Sequence, residues 1–213
     1  MNKVDVNNLI KILIKTYPEA KCSLNFETPF QLVVAVMLSA QCTDERVNLV
    51  TPTLFKKCPT IESFRDIPLD ELESLIHSCG FYKNKAKNIK LCANQIINNF
   101  NNKVPDSMDN LLSLAGVGRK SANVILLEVF GIATGIAVDT HCKRISNRLG
   151  LSKEIDPIKI EQDLLKQINS EFLKDVNHLF IWHGRYTCTA RNPKCDSCTV
   201  KKYCKFVNTN ISH

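Results

Sequence analysis

Long apolar runs are missing from this chain of 213 residues. The longest, Leu32 to Ala40, is far short of the roughly 20 residues a helix needs to cross a bilayer. No membrane span or membrane partner is therefore expected. The opening residues, Met1 to Asn8, are polar and hold no apolar core of a secretory leader. A cytoplasmic location is expected, associated with the nucleoid if the partner is DNA. Strand signals are scarce too. There are no convincing strand pairs and no hairpin dipeptide of the Asn-Gly type. Low-complexity linkers and internal repeats are absent. Membrane, hairpin-built and solenoid architectures are thus excluded.

What is present is helical periodicity. Val6, Leu9, Ile10, Leu13 and Ile14 recur at helical spacing. Thr28 can cap a helix that opens at Pro29 and runs to about Cys42. Pro68 opens another, with Leu69, Leu72, Leu75 and Ile76 on one face and Gly80 as its stop. Amphipathic or apolar stretches follow over 83–100, 107–114, 120–130, 139–149, 157–168 and 174–183. Gly131 and Gly150 stand where two of them should end. The fold class is all-α, and the length suits one or two domains with a real core.

The net charge of +7 is compatible with a polyanionic partner but does not identify one. Its distribution says more. Between His183 and Phe206, Arg185, Arg191, Lys194, Lys201, Lys202 and Lys205 face a single acid, Asp196. A solvated basic tail is the plainer explanation. Ten cysteines are many for a compartment that disfavours disulfides. Cys22, Cys42, Cys58, Cys79, Cys92 and Cys142 are scattered and read as inert core thiols. Cys188, Cys195, Cys198 and Cys204 are clustered and read as a metal site. Four-cysteine zinc and an iron–sulfur cluster use the same thiolates. The wide first interval is unlike the short knuckles of a zinc ribbon.

Two further segments can carry chemistry. In Leu114-Ala115-Gly116-Val117-Gly118-Arg119-Lys120, paired glycines permit a tight turn and close backbone approach. The helix that follows offers free N–H groups to an anion. A phosphate fits, and so does a plain connection between helices. In Ala137-Val138-Asp139-Thr140-His141, an acid leaves an apolar segment at a helix start. Asp139 is either an ordinary N-cap or a rigidly held functional carboxylate.

These three elements, in this order, closely resemble the endonuclease III family, in its compact bacterial form, within the helix–hairpin–helix DNA glycosylase superfamily. Leu114 to Ala122 is similar to the family's hairpin, Val138 to His141 to its catalytic aspartate motif, and His183 to Cys188 to the start of its [4Fe–4S] loop. The resemblance implies a cluster on Cys188, Cys195, Cys198 and Cys204. It implies Lys120 and Asp139 as catalytic residues. It also implies DNA contacts at Gln41, Phe81, Gly116, Gly118, Arg119, His141, Arg144, Arg185, Arg191 and Lys194. Gln41 and Phe81 would fill the gap left by a flipped nucleotide, although a hydrophobic residue just after a helix end, like Phe81, is common. Cys79 stands beside that wedge loop where the family leads one to expect a larger apolar residue. The implied domains are 22–132, six helices with the helix–hairpin–helix at about 107–130, and 1–21 with 133–213, bearing the cluster. The DNA would lie in a cleft between them.

Lys120 separates the implied activities. Lysine at the hairpin position marks the bifunctional members, which cut the glycosidic bond and then the strand. The expected partner is double-stranded DNA with oxidised or ring-saturated pyrimidines or abasic sites, and the expected state is a monomer. A neutral Lys120 amine would attack C1′ of an extruded nucleotide. Asp139 would accept a proton or stabilise charge on the sugar. A monofunctional mismatch glycosylase and a non-catalytic helix–hairpin–helix DNA-binding module are the alternatives.

Overall fold

The computed structural model describes residues 2–210. Met1 and residues 211–213, which belong to the expected cluster-bearing domain, lie outside the described residues. Secondary structure among the described residues is helical, without a strand, and no described helix is long and apolar enough to cross a membrane. The chain divides into two compact units, Ser23–Gly131 and Met1–Cys22 with Ile132–His213.

Helix α1 (Lys3–Thr16) belongs to the second of these, the terminal unit. It starts where the Asn2 side chain accepts from the Asp5 N–H at 2.8 Å. The inner unit begins with α2 (Pro29–Ser39), capped by Thr28 as expected. This helix stops short of Cys42 because Ala40 already leaves the helical region at ψ 112°, and Gln41 beyond it takes φ 54°. Every residue from Phe30 to Leu38 is buried. Burying each of its large aliphatic side chains stabilises the unit by about 1.5–3 kcal/mol.

Two helices of this unit were not expected. Helix α3 (Asp44–Lys57) contains Pro52 and buries only Val47, Thr51 and Leu54. Its apolar stripe is too thin to show in the sequence. Helix α4 (Ile61–Asp66) is one and a half turns long and rests on a capping box between Thr60 and Ser63. Next come α5 (Leu69–Ile76), a 3-10 turn at His77–Cys79, α6 (Tyr82–Asn99), α7 (Met108–Leu112) and α8 (Arg119–Phe130). The unit thus holds seven α-helices, one more than the six expected. Helix α2 packs on α3 and α8, while α4 and α5 lie on α6. Lys90 of α6 locks α4 in place by donating to the Arg65 carbonyl at 2.5 Å and to that of Ile67.

In the terminal unit, α9 (Thr140–Leu149) and α11 (Leu173–Tyr186) form the central pair. Helix α1 covers α11, and α10 (Pro157–Gln167) and α12 (Lys205–Asn210) cover α9. Leu9, Leu13, Ile145, Leu164, Val176 and Phe180 meet in its core.

Candidate functional site

The segment between α7 and α8 is a tight hairpin whose two glycines serve different ends. Gly116 has φ 78°, and a Cβ on it would meet Met37 Cε at 2.6 Å and Asn88 Cβ at 3.0 Å. Only glycine fits there. Gln95 of α6 fixes the turn from behind. Its amide donates to the Ser113 carbonyl at 3.2 Å and accepts from the Ala115 N–H at 2.7 Å. Gly118 is different: its φ is −96° and a Cβ would meet nothing within 4 Å. Nothing inside the fold demands a glycine. Its bare backbone suits close approach of something outside the chain. Gly118 also stands at the N-cap of α8 and supplies no side-chain cap, and a helix start of this kind suits an anion. Arg119 and Lys120 follow, both exposed. In the free chain water reaches the Lys120 side chain.

Gln41 and Phe81 form two exposed tips on the same unit. Both have left-handed backbones, φ 54° and 48°, at non-glycine residues, and Phe81 is 65% exposed. Behind them lies Lys85, which is buried. Its ammonium donates to the carbonyls of Leu38 and Cys79, each at 2.8 Å. Burial pushes its pKa below the ordinary lysine range.

Asp139 is the N-cap of α9, and its Oδ1 accepts from the Cys142 N–H at 2.7 Å. The buried run Ile136–Val138 that delivers it is pinned from both ends. The Glu161 carboxylate accepts from the Ile136 N–H at 3.1 Å, and the Asn177 amide donates to the Ala137 carbonyl at 2.5 Å. On α9, Arg144 turns into the fold. It donates to the carbonyls of Cys188 and Gly184 at 3.1 and 2.9 Å and lies 3.1 Å from His141 Nδ1. Gly184 makes this possible, because a Cβ there would sit 2.6 Å from His141 Nδ1 and 2.8 Å from Arg144 Nη2. Arg144 therefore braces α9 against the cysteine loop, and DNA contact is not its only available role.

The four clustered cysteines line one small cavity with Ile145, Leu149 and His183. Arg148 spans its rim, donating to Cys188 Sγ at 3.3 Å, to the Thr189 carbonyl at 2.7 Å and to that of Ala190 at 3.0 Å. Tyr17 holds His183 Nδ1 at 3.0 Å, and His183 Nε2 lies 3.8 Å from Cys198 Sγ. Four thiols around a void, with cationic and N–H donors aimed at sulfur, fit an anionic iron–sulfur cluster. Arg191 and Lys194, in the loop between the first two cysteines, are exposed, as is Arg185.

Residues 34–170 match the family described as HhH-GPD superfamily base excision DNA repair protein. Residues 188–204 match the iron-sulfur binding domain of endonuclease III. The endonuclease III of Synechocystis sp. is 49% identical over 95% of this chain and 92% of its own length. The chain belongs to the endonuclease III family.

Two solved structures agree with that membership. A non-covalent endonuclease III–DNA complex superimposes with a TM-score of 0.93 at 40% identity, over 100% of both chains. A trapped endonuclease III–DNA covalent intermediate gives 0.93 and 40% over 99% of each. The family resemblance read from the hairpin, the aspartate motif and the cysteine spacing is borne out, as are the all-α class and the [4Fe–4S] cofactor. In this endonuclease III homologue the sequence reading passed over Lys85, Gln95, Arg148 and the Tyr17–His183 pair. A signal existed for Lys85 alone. It falls on the stripe Lys85, Ile89, Cys92, Ile96, where a 3.6-residue period puts only core positions.

Proposed function

We propose that this chain excises oxidised or ring-saturated pyrimidines from duplex DNA as a monomer and then cuts the strand 3′ to the abasic site. One observation carries the reading. An exposed lysine, Lys120, sits in the first turn of a helix whose N-cap is a glycine with no side chain and with open space where a Cβ would be. The α8 N–H groups and Arg119 hold a backbone phosphate there. Gln41 and Phe81 occupy the gap in the duplex once the damaged nucleotide swings out.

The Lys120 amine, in its neutral form, attacks C1′. The bond from C1′ to the base breaks, and the base leaves with the electron pair and takes up a proton. The nitrogen loses one proton, and its lone pair then opens the sugar ring: the C1′–O4′ bond breaks, O4′ takes up a proton, and C1′=N forms as the protonated imine, the iminium. That iminium withdraws electrons and acidifies C2′–H. Removal of a C2′ proton expels the 3′ phosphate by β-elimination, and water then hydrolyses the imine to free Lys120. Asp139 is assigned the carboxylate's part, taking up a proton or opposing the positive charge that builds on the sugar. His141, Arg185, Arg191 and Lys194 are assigned to the DNA backbone, with Arg144 supporting them through the cysteine loop. Cys188, Cys195, Cys198 and Cys204 would hold the [4Fe–4S] cluster, which when bound cross-links the loop that carries Arg191 and Lys194.

Borohydride reduction tests the nucleophile. On a thymine-glycol duplex the wild-type chain should be trapped as a covalent adduct that resists denaturation. Lys120→Ala should give none while still shifting the duplex. An equal adduct with Lys120→Ala, or none with the wild type, overturns the assignment.

A further inference from the structure

The buried stripe of α6 carries a cation where the fold needs none. Its partners lie on the two segments that lead to the tips. The Leu38 carbonyl is near the end of α2, three residues before Gln41, and the Cys79 carbonyl ends the 3-10 turn, two residues before Phe81. The pKa of the Cys79 thiol is pushed up to about 11, by burial first and then by the thiol of Cys42, the neighbour of Gln41. The tips themselves hold left-handed backbones at non-glycine residues. Such conformations persist only where the surroundings over-determine them. Core stability gives no reason for a lysine: a buried ammonium bears a desolvation cost that an apolar side chain of equal length avoids.

We propose that Lys85 is a positioning residue that couples the Gln41 and Phe81 tips and holds them in the paired geometry that enters the gap behind a flipped nucleotide. The proposal rests on the reading of those tips as the inserting residues. Lys85 touches neither the sugar nor the base. It acts by fixing two backbone carbonyls, and through them the start of each tip. Without it the tips are free to move separately, and misplacement by about 1 Å is enough to cost on the order of 100-fold in rate.

The chain supplies its own control. Lys90, on the same helix, makes the same kind of brace to the carbonyls of Arg65 and Ile67, remote in sequence from either tip. The experiment compares wild type, Lys85→Met and Lys90→Met on a duplex with 2-aminopurine next to thymine glycol. The fluorescence rise reports unstacking, and single-turnover excision at saturating enzyme reports chemistry. Lys85→Met should lose most of the fluorescence rise and on the order of 10–100-fold in rate. Its affinity for undamaged duplex, set by phosphate contacts, should stay within about 2-fold. Lys90→Met should lower the melting temperature and keep both the fluorescence rise and the rate. Lys85→Arg, which restores a cation with N–H donors, should recover part of the loss. If Lys85→Met fails to fold, Lys85→Gln carries the same comparison.

A Lys85→Met enzyme with wild-type fluorescence and rate overturns the proposal. So does an equal loss in Lys90→Met, which would mark both lysines as generic braces. A wild type that neither unstacks nor excises would instead sink the functional reading on which the proposal rests.

Discussion

Helices α8 and α9 begin in opposite ways. Helix α9 brings its own anion: Asp139 sits at the N-cap and accepts the Cys142 N–H at 2.7 Å. Helix α8 begins at Gly118, which has no side chain to cap it. The first-turn N–H groups of a helix need an acceptor, and they attract negative charge. A helix that fills this need from within its own chain holds a carboxylate rigidly for use. A helix that leaves it open offers the place to the partner. The difference predicts which of the two grips phosphate and which presents an acid.

The strongest way to break this contrast is to separate the cap of α9 from its charge. Asparagine caps as well as aspartate but carries no charge. Asp139→Asn should therefore keep the melting temperature and lose about 10²–10⁴-fold in single-turnover excision. Asp139→Ala should lose as much rate and also about 1 kcal/mol of stability, read from denaturant titration. If Asp139→Asn retains the wild-type rate, Asp139 is only a cap and the contrast loses its catalytic half.

A second test divides the hairpin itself. Gly116→Ala puts a methyl within 2.6 Å of Met37 Cε at φ 78° and should cost about 1–3 kcal/mol of stability. Gly118→Ala meets open space at φ −96° and should change stability by no more than about 0.5 kcal/mol. On the proposed phosphate site its loss should appear in DNA binding, because the added methyl would stand between the backbone and the phosphate. Equal destabilisation by the two substitutions, measured by chemical unfolding, would show that Gly118 serves the fold after all.

The sequence discloses much of this, but unevenly. Thr28, Asp139, Gly131 and Gly150 mark helix ends through side-chain or glycine chemistry that acts within four residues, and all of them mark ends in the structure. The cysteine spacing and the hairpin are local patterns too. Helix α3 escaped notice because tertiary packing, not its own apolar stripe, holds it around Pro52. The left-handed backbones of Gln41 and Phe81 left no trace, since neither residue type asks for positive φ. The carbonyls that lead into them, those of Leu38 and Cys79, are held by Lys85 in the first turn of α6. Arg144 reads as a charge for a partner, and Arg148 carries no reading in the sequence. In the structure much of their hydrogen bonding is turned on carbonyls and a sulfur of the cysteine loop. Charge in sequence shows that a donor exists, whereas its target depends on which helices meet.

The smallest expected effect is also the most direct, since it turns α8 into α9. A side chain fits at Gly118 without strain, so Gly118→Asp installs the anion that α9 already has. Stability should rise by a few tenths of a kcal/mol, as capping residues exceed glycine by about that much. DNA binding should move the other way. One phosphate site is now occupied by a carboxylate, so the slope of log affinity against log salt should shrink by about 1, with a loss of roughly 10-fold in affinity at low salt. Gly118→Ser caps without charge and isolates the electrostatic part, and its salt slope should fall between the two. An Asp variant that is more stable yet keeps the wild-type slope would place the phosphate elsewhere. The open start of α8 would then be an unfilled cap, and the contrast with α9 would be about folding alone.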